Sequence, residues 1–149
     1  MIRIGQYNDL RILRMTTVGL FLGDEEGEDV LLPSKYCPER YTIDDVLRVF
    51  VYRDHDEKKI ATNLEPKILL HQFAFLKVTA VSSFGAFVDW GMVKNLLVPF
   101  KEQRLKMEVD RWYIVYLALD EKTDRLYASN KIEKFLSLKC PLLLRKERK

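Results

Sequence analysis

The chain has 149 residues, with 25 Lys/Arg, 22 Asp/Glu, two His and two Cys, and 48% of it is hydrophobic. That is apolar material for a core in one domain or two small ones, and it excludes a wholly disordered chain. No apolar run nears the ~20 residues of a membrane-spanning helix, the first 14 residues are too polar for a secretory signal, and Cys37 and Cys140 form neither a disulfide framework nor a metal knuckle. A soluble, reduced, cytoplasmic protein with no membrane partner is expected.

Taken in chain order, residues 1–68 hold ten basic and 13 acidic residues, a net −3. Residues 69–138 hold ten and eight, a net +2, and residues 139–149 hold five and one, a net +4. A polyanion is repelled by the first stretch and attracted by the second.

TVGLFLG at 17–23 returns as SFGAFVD at 83–89, and LLP at 31–33 returns as LVP at 97–99. VFVYRD at 49–54 returns as VYLALD at 115–120. Gly19 thus matches Gly85, Phe21 matches Phe87, Pro33 matches Pro99 and Asp54 matches Asp120, all at an offset of 66. After one extra residue, KKIATN (58–63) matches DRLYASN (124–130). A register held across glycine, proline and aspartate landmarks marks an internal repeat. GDEEGED at 23–29 suits a tight acidic hairpin turn. The copies join near Glu65-Pro66, which gives a first domain over 1–66, a second over 67–138 and a basic tail over 139–149.

In the second copy, 72–82, 84–90, 95–99, 111–119 and 126–129 read as strands. The polar stretches 34–44 and 100–109 leave room for a helical turn. Residues 130–138 suit a short closing helix, with Asn130 as N-cap and Glu133 three positions on. Five strands in ~60 residues cannot cover both faces of an open sheet, whereas closure removes the edges and encloses a small core. The predicted fold is all-β: two tandem five-stranded barrels of the oligonucleotide-binding (OB) type.

FLKVTAVSSFGAFVDWG resembles the opening of the S-one domain, the RNA-binding barrel repeated in the largest small-subunit ribosomal protein. The likeness covers about 72–130 and, more weakly, 10–63. DWG…NLLVPF…Q followed by LDEKTDRLYASNKIEKFL resembles the bacterial conserved virulence factor B family of RNA-binding proteins, in which tandem S-one barrels precede a winged-helix domain. The resemblance implies two barrels here, without a third barrel or the winged helix. It implies single-stranded RNA as partner, a post-transcriptional or translational role, no catalysis and no cofactor. Departures are Val18 in place of the phenylalanine before the first glycine, Val98 in place of a third-strand histidine, and a one-residue wider spacing from Asp120 to Arg125.

Phe84 and Phe87 are three apart and would face opposite ways in an unbroken strand, but a bulge at Gly85 would bring both onto one face. There they would stack bases; otherwise they are core. Phe21 is the matching ring of the first copy. Trp90, beside Gly91, suits either stacking or rim packing. Lys77, Lys101, Arg111 and Arg125 are candidate phosphate contacts or solvated charges, and the resemblance places Arg125 best. His55 lies in a charged turn and His71 at the junction, neither near a second ligand, so no metal site is expected. The acidic turn Asp54, Asp56, Glu57 is echoed by Asp120, Glu121, Asp124, which suits hairpin solubility better than acid–base chemistry. No phosphate loop or dinucleotide glycine pattern is present. The expected function is single-stranded RNA binding by the second barrel. The alternative is a protein-docking or ribosome-associated module using apolar surface around Trp90, Met92 and Val93.

Overall fold

A computed structural model describes residues 1–54 and 58–135. The expectations for His55, Asp56 and Glu57, for 136–138 of the closing helix and for the basic tail lie outside the described residues. The chain divides between Pro66 and Lys67 into two units. The first holds β1 (Gln6–Thr16), β2 (Gly19–Gly23), β3 (Asp29–Pro33), β4 (Val46–Arg53) and β5 (Lys59–Thr62). The second holds β6 (Phe73–Val81), β7 (Gly85–Val88), β8 (Leu96–Pro99), β9 (Trp112–Asp120) and β10 (Arg125–Ser129). A single 3-10 turn follows β3 at Ser34–Tyr36 and β8 at Phe100–Glu102.

In the first unit the strands close into a barrel in the order β1-β2-β3-β5-β4. All neighbours are antiparallel except β3 and β5, joined by the parallel bridge Leu31–Ile60. The second unit has the order β10-β9-β6-β7-β8. Its end strands β8 and β10 pack together, but among the described residues no ladder joins them.

The repeat extends to the hydrogen bonds. Gly19 and Gly85 have φ of +148° and +151° and pair with Pro33 and Pro99. A Cβ would lie 2.1 Å from the Leu32 carbonyl oxygen at Gly19 and 2.3 Å from that of Val98 at Gly85, so only glycine fits both backbones. Pro33 and Pro99 then hold φ near −57° and start the 3-10 turns. Asp44 and Asp110, again 66 apart, take the left-handed conformation at φ of 77° and 69°. Their N–H groups donate to the carbonyls of Ile12 and Val78. Beside those carbonyls β1 and β6 each slip register, between Ile12 and Arg14 and between Val78 and Ala80. The irregularity expected at Gly85 thus sits across the ladder, on β6.

The first core is built from Ile2, Leu10, Ile12, Leu20, Leu22, Val30, Leu32, Val49, Val51 and Ala61. Each has a buried counterpart in the second unit: Ile68, Leu76, Val78, Ala86, Val88, Leu96, Val98, Val115, Leu117 and, after the extra residue, Ala128. Most of these positions alternate along their strands, whereas β4 and β9 each bury four residues in a row, Val49–Tyr52 and Val115–Ala118, so there both faces are covered. Asn130 is not the expected helix cap. Its side-chain amide donates to the Ile114 carbonyl at 2.8 Å and its Oδ1 accepts from the Arg104 N–H, while 133–135 turns helical beyond it.

Candidate nucleic-acid interface

On β7, Ala86 and Val88 are fully buried, so Phe87 between them points outward and is half-buried. Phe21 stands the same way between Leu20 and Leu22 on β2. The surroundings of the two rings differ. The Arg14 guanidinium carbon lies 4.2 Å from the Phe21 ring centroid, and Arg14 is held there by Asp29 at 3.3 Å. At the matching positions of the second copy stand Ala80, paired with Phe87, and Asn95. Among the described residues no cation covers Phe87.

Phe84 is 72% exposed in the turn before β7, where its N–H donates to Ser82 Oγ at 3.0 Å. It carries its ring into solvent without a bulge at Gly85. Trp90 is 3% exposed and its indole N–H donates to the Lys94 carbonyl at 2.7 Å, so it packs and presents no face to a base. Met92 is buried as well, which leaves Val93 alone of the apolar surface expected around Trp90.

The candidate cations fall into two groups. Lys101 and Arg125 line an open groove of about 670 Å³ with Leu97, Asp120, Lys122 and Tyr127. Leu97 and Tyr127 match Leu31 and Ile60, the residues whose backbones bridge in the first barrel. Residues of β8 and of the β9–β10 turn thus line one groove at the seam that the Leu31–Ile60 bridge closes in the first copy. Acids in the groove are partly engaged from within. Asp120 accepts the Lys122 N–H at 2.9 Å; that hydrogen bond, with the Lys101 charge adding to it, holds its carboxyl below the usual range. Glu102 accepts from Ser129 Oγ at 2.8 Å and from Lys134 Nζ at 2.6 Å.

Lys77 and Arg111 lie elsewhere. Lys77 pairs across β6–β9 with Trp112 and sits 3.7 Å from Asp110, while Arg111 Nε is 2.7 Å from Glu108. On this outer face Phe75 and Trp112 stack at 5.8 Å and 18°, and both are exposed. Neither the Phe75–Trp112 pair nor the Arg14 cap was expected. Comparison of the two copies at the offset of 66 sets Phe75 and Trp112 against Asp9 and Val46 and so signals the pair, but it does not bring Arg14 over Phe21.

Residues 4–64 match the S1 domain family. The match falls on the first copy, although FGAFVD stands in the second. The Bacillus subtilis (strain 168) protein YitL, uncharacterised, is 33% identical over 132 residues, 87% of this chain and 41% of YitL. A crystal structure of a multidomain protein with nucleic acid binding domains from Streptococcus pneumoniae TIGR4 superposes with a TM-score of 0.70 at 24% identity, covering 84% of this chain and 45% of that one. The fold is of the S1, OB-type barrel class, in tandem. The chain spans less than half the length of either relative.

Proposed function

We propose that this chain binds single-stranded RNA without catalysis, chiefly through the second barrel. The observation that carries this reading is the difference between two equivalent rings: Phe21 is covered by its own Arg14, and Phe87 is not. An outward aromatic beside an open, partly cationic groove suits base stacking with phosphate contacts along its rim. The S1 match and the nucleic acid binding domains of the streptococcal protein point the same way. So does the charge split of −3 over residues 1–68 and +2 over residues 69–138. In the same proposal the protein is cytoplasmic, the expectation drawn from its composition, and acts post-transcriptionally or in translation, as the likeness to the conserved virulence factor B family implies.

The groove mixes cations and acids, so affinity rests on stacking more than on charge, and a single barrel binds modestly. Titration of the full chain with fluorescein-labelled oligouridine at two salt concentrations tests the reading. Phe87→Ala should weaken binding by roughly 5–150-fold, the worth of one stacked base. Lys101→Ala and Arg125→Ala should each reduce the salt slope by about one. Absence of any binding at low salt overturns the proposal.

A further inference from the structure

We infer that Asn95 reads the edge of the base stacked on Phe87 and so makes binding selective among bases, an inference that rests on the RNA-binding reading above. Asn95 stands immediately before β8 and Thr79 lies on β6, with β7 between the two strands. The Asn95 side-chain amide nevertheless donates to Thr79 Oγ1 at 2.8 Å. Adjacent strands lie about 4.8 Å apart, so a bond from β8 to β6 has to cross over β7. Thr79 Oγ1 is also 3.4 Å from the Phe87 carbonyl oxygen, which puts the crossing beside the outward Phe87. Thr79 reaches this point as the extra residue of the β6 slip between Val78 and Ala80.

Proton accounting fixes the amide. A threonine hydroxyl has one proton, and a carbonyl only accepts, so Thr79 donates to Phe87 and accepts from Asn95. This uses one N–H of the amide and sets which way it faces. Among the described residues, its other N–H and its Oδ1 have no partner. Asp89, the nearby acid on β7's exit, is already engaged by Lys67 Nζ at 2.9 Å and by the Gly91 N–H at 3.0 Å. A held donor beside a held acceptor is how asparagine recognises a base edge. Phe87 alone tolerates any base, because every base has a π-face. The first copy shows that the barrel does not need the bridge. Its residues at the offset of 66 are Leu13, which has no polar side-chain atom, and Asp29, which faces Arg14.

Titration of the full chain with labelled oligouridine, oligocytidine and oligoadenosine of equal length tests this. The wild type should favour its best oligomer over its poorest by roughly 5-fold or more, the discrimination of one base-edge contact. Asn95→Ala should shrink that ratio by at least about 3-fold at an unchanged melting point, weakening the favoured oligomer and leaving the modest preferences of stacking alone. Thr79→Val should shrink the ratio too, because the amide then turns freely, and Thr79→Ser, which keeps the hydroxyl, should retain it. A wild type that binds all three oligomers alike overturns the inference and leaves RNA binding standing. An Asn95→Ala variant that keeps the wild-type ratio, or that weakens all three equally, overturns it as well. If the wild type binds none of the three, the RNA-binding reading itself fails and takes this inference with it.

Discussion

The contrast between Phe21 and Phe87 can be exchanged. Ala80→Arg with Asn95→Asp rebuilds over Phe87 the arrangement that Arg14 and Asp29 make over Phe21. One substitution adds a positive charge and the other a negative one, so the net charge stays at +3. Arg14 lies 4.2 Å from its ring, the space a stacked base would need. If a base stacks on Phe87, the swap removes about 1–3 kcal/mol, weakening binding roughly 5–150-fold. An exposed cation–π contact adds only about 0.5–1 kcal/mol to folding, so the melting point should hold or rise slightly. Anisotropy with labelled oligouridine reads the first quantity and a thermal melt the second. Ala80→Arg alone is sharper still, because it adds a cation to a polyanion binder and should nevertheless weaken it. If the double swap binds as tightly as the wild type at an unchanged melting point, Phe87 does not carry a base and the binding face lies elsewhere.

Gly85→Ala should cost at least ~2 kcal/mol and lower the melting point, since the new Cβ meets the Val98 carbonyl at 2.3 Å and φ is +151°; Gly19→Ala should behave alike. Trp90→Ala should cost about 3–5 kcal/mol in chemical denaturation, whereas Phe84→Ala, at a 72% exposed site, should change stability by under ~0.5 kcal/mol while lowering RNA affinity. Burial pulls the Glu102 pKa upward, but the hydrogen bonds from Lys134 and Ser129 outweigh it and hold the group below its ordinary value. Its contribution is therefore present above about pH 4.5 and is lost as pH falls further. A melting series from pH 7 to 3 should show this loss, and Glu102→Gln should flatten it.

The tandem plan was legible because each landmark of the repeat answers a backbone demand. Gly19 and Gly85 tolerate no side chain, Pro33 and Pro99 set a turn, and inward residues keep a two-residue period. Asp44 and Asp110 are equally constrained, yet aspartate is common enough that their pairing passes unnoticed. The burial of Trp90 was not legible, because it depends on a loop folding back until the Lys94 carbonyl meets the indole. The Arg14 cap was hidden for a similar reason. A charged strand residue reads as solvated until its cross-strand neighbour is known to be an outward ring. Closure of the second sheet was expected from strand count, which does not report how closely β8 and β10 approach.

Ten interchangeable core positions in two copies create a hazard during synthesis, because a strand of one barrel can pair with partners from the other. β1 must wait for β4, with Gln6 meeting Val51, so neither barrel can begin to close before most of its residues exist. Translation at roughly 5–20 residues per second separates equivalent strands by about 3–13 seconds over the 66-residue offset. Small β domains fold in milliseconds to seconds. The strands of the first barrel therefore leave the ribosome seconds ahead of their rivals, and order of emergence favours pairing within each copy. Refolding from denaturant removes that head start, and should yield mispaired, aggregation-prone chains that the cell avoids.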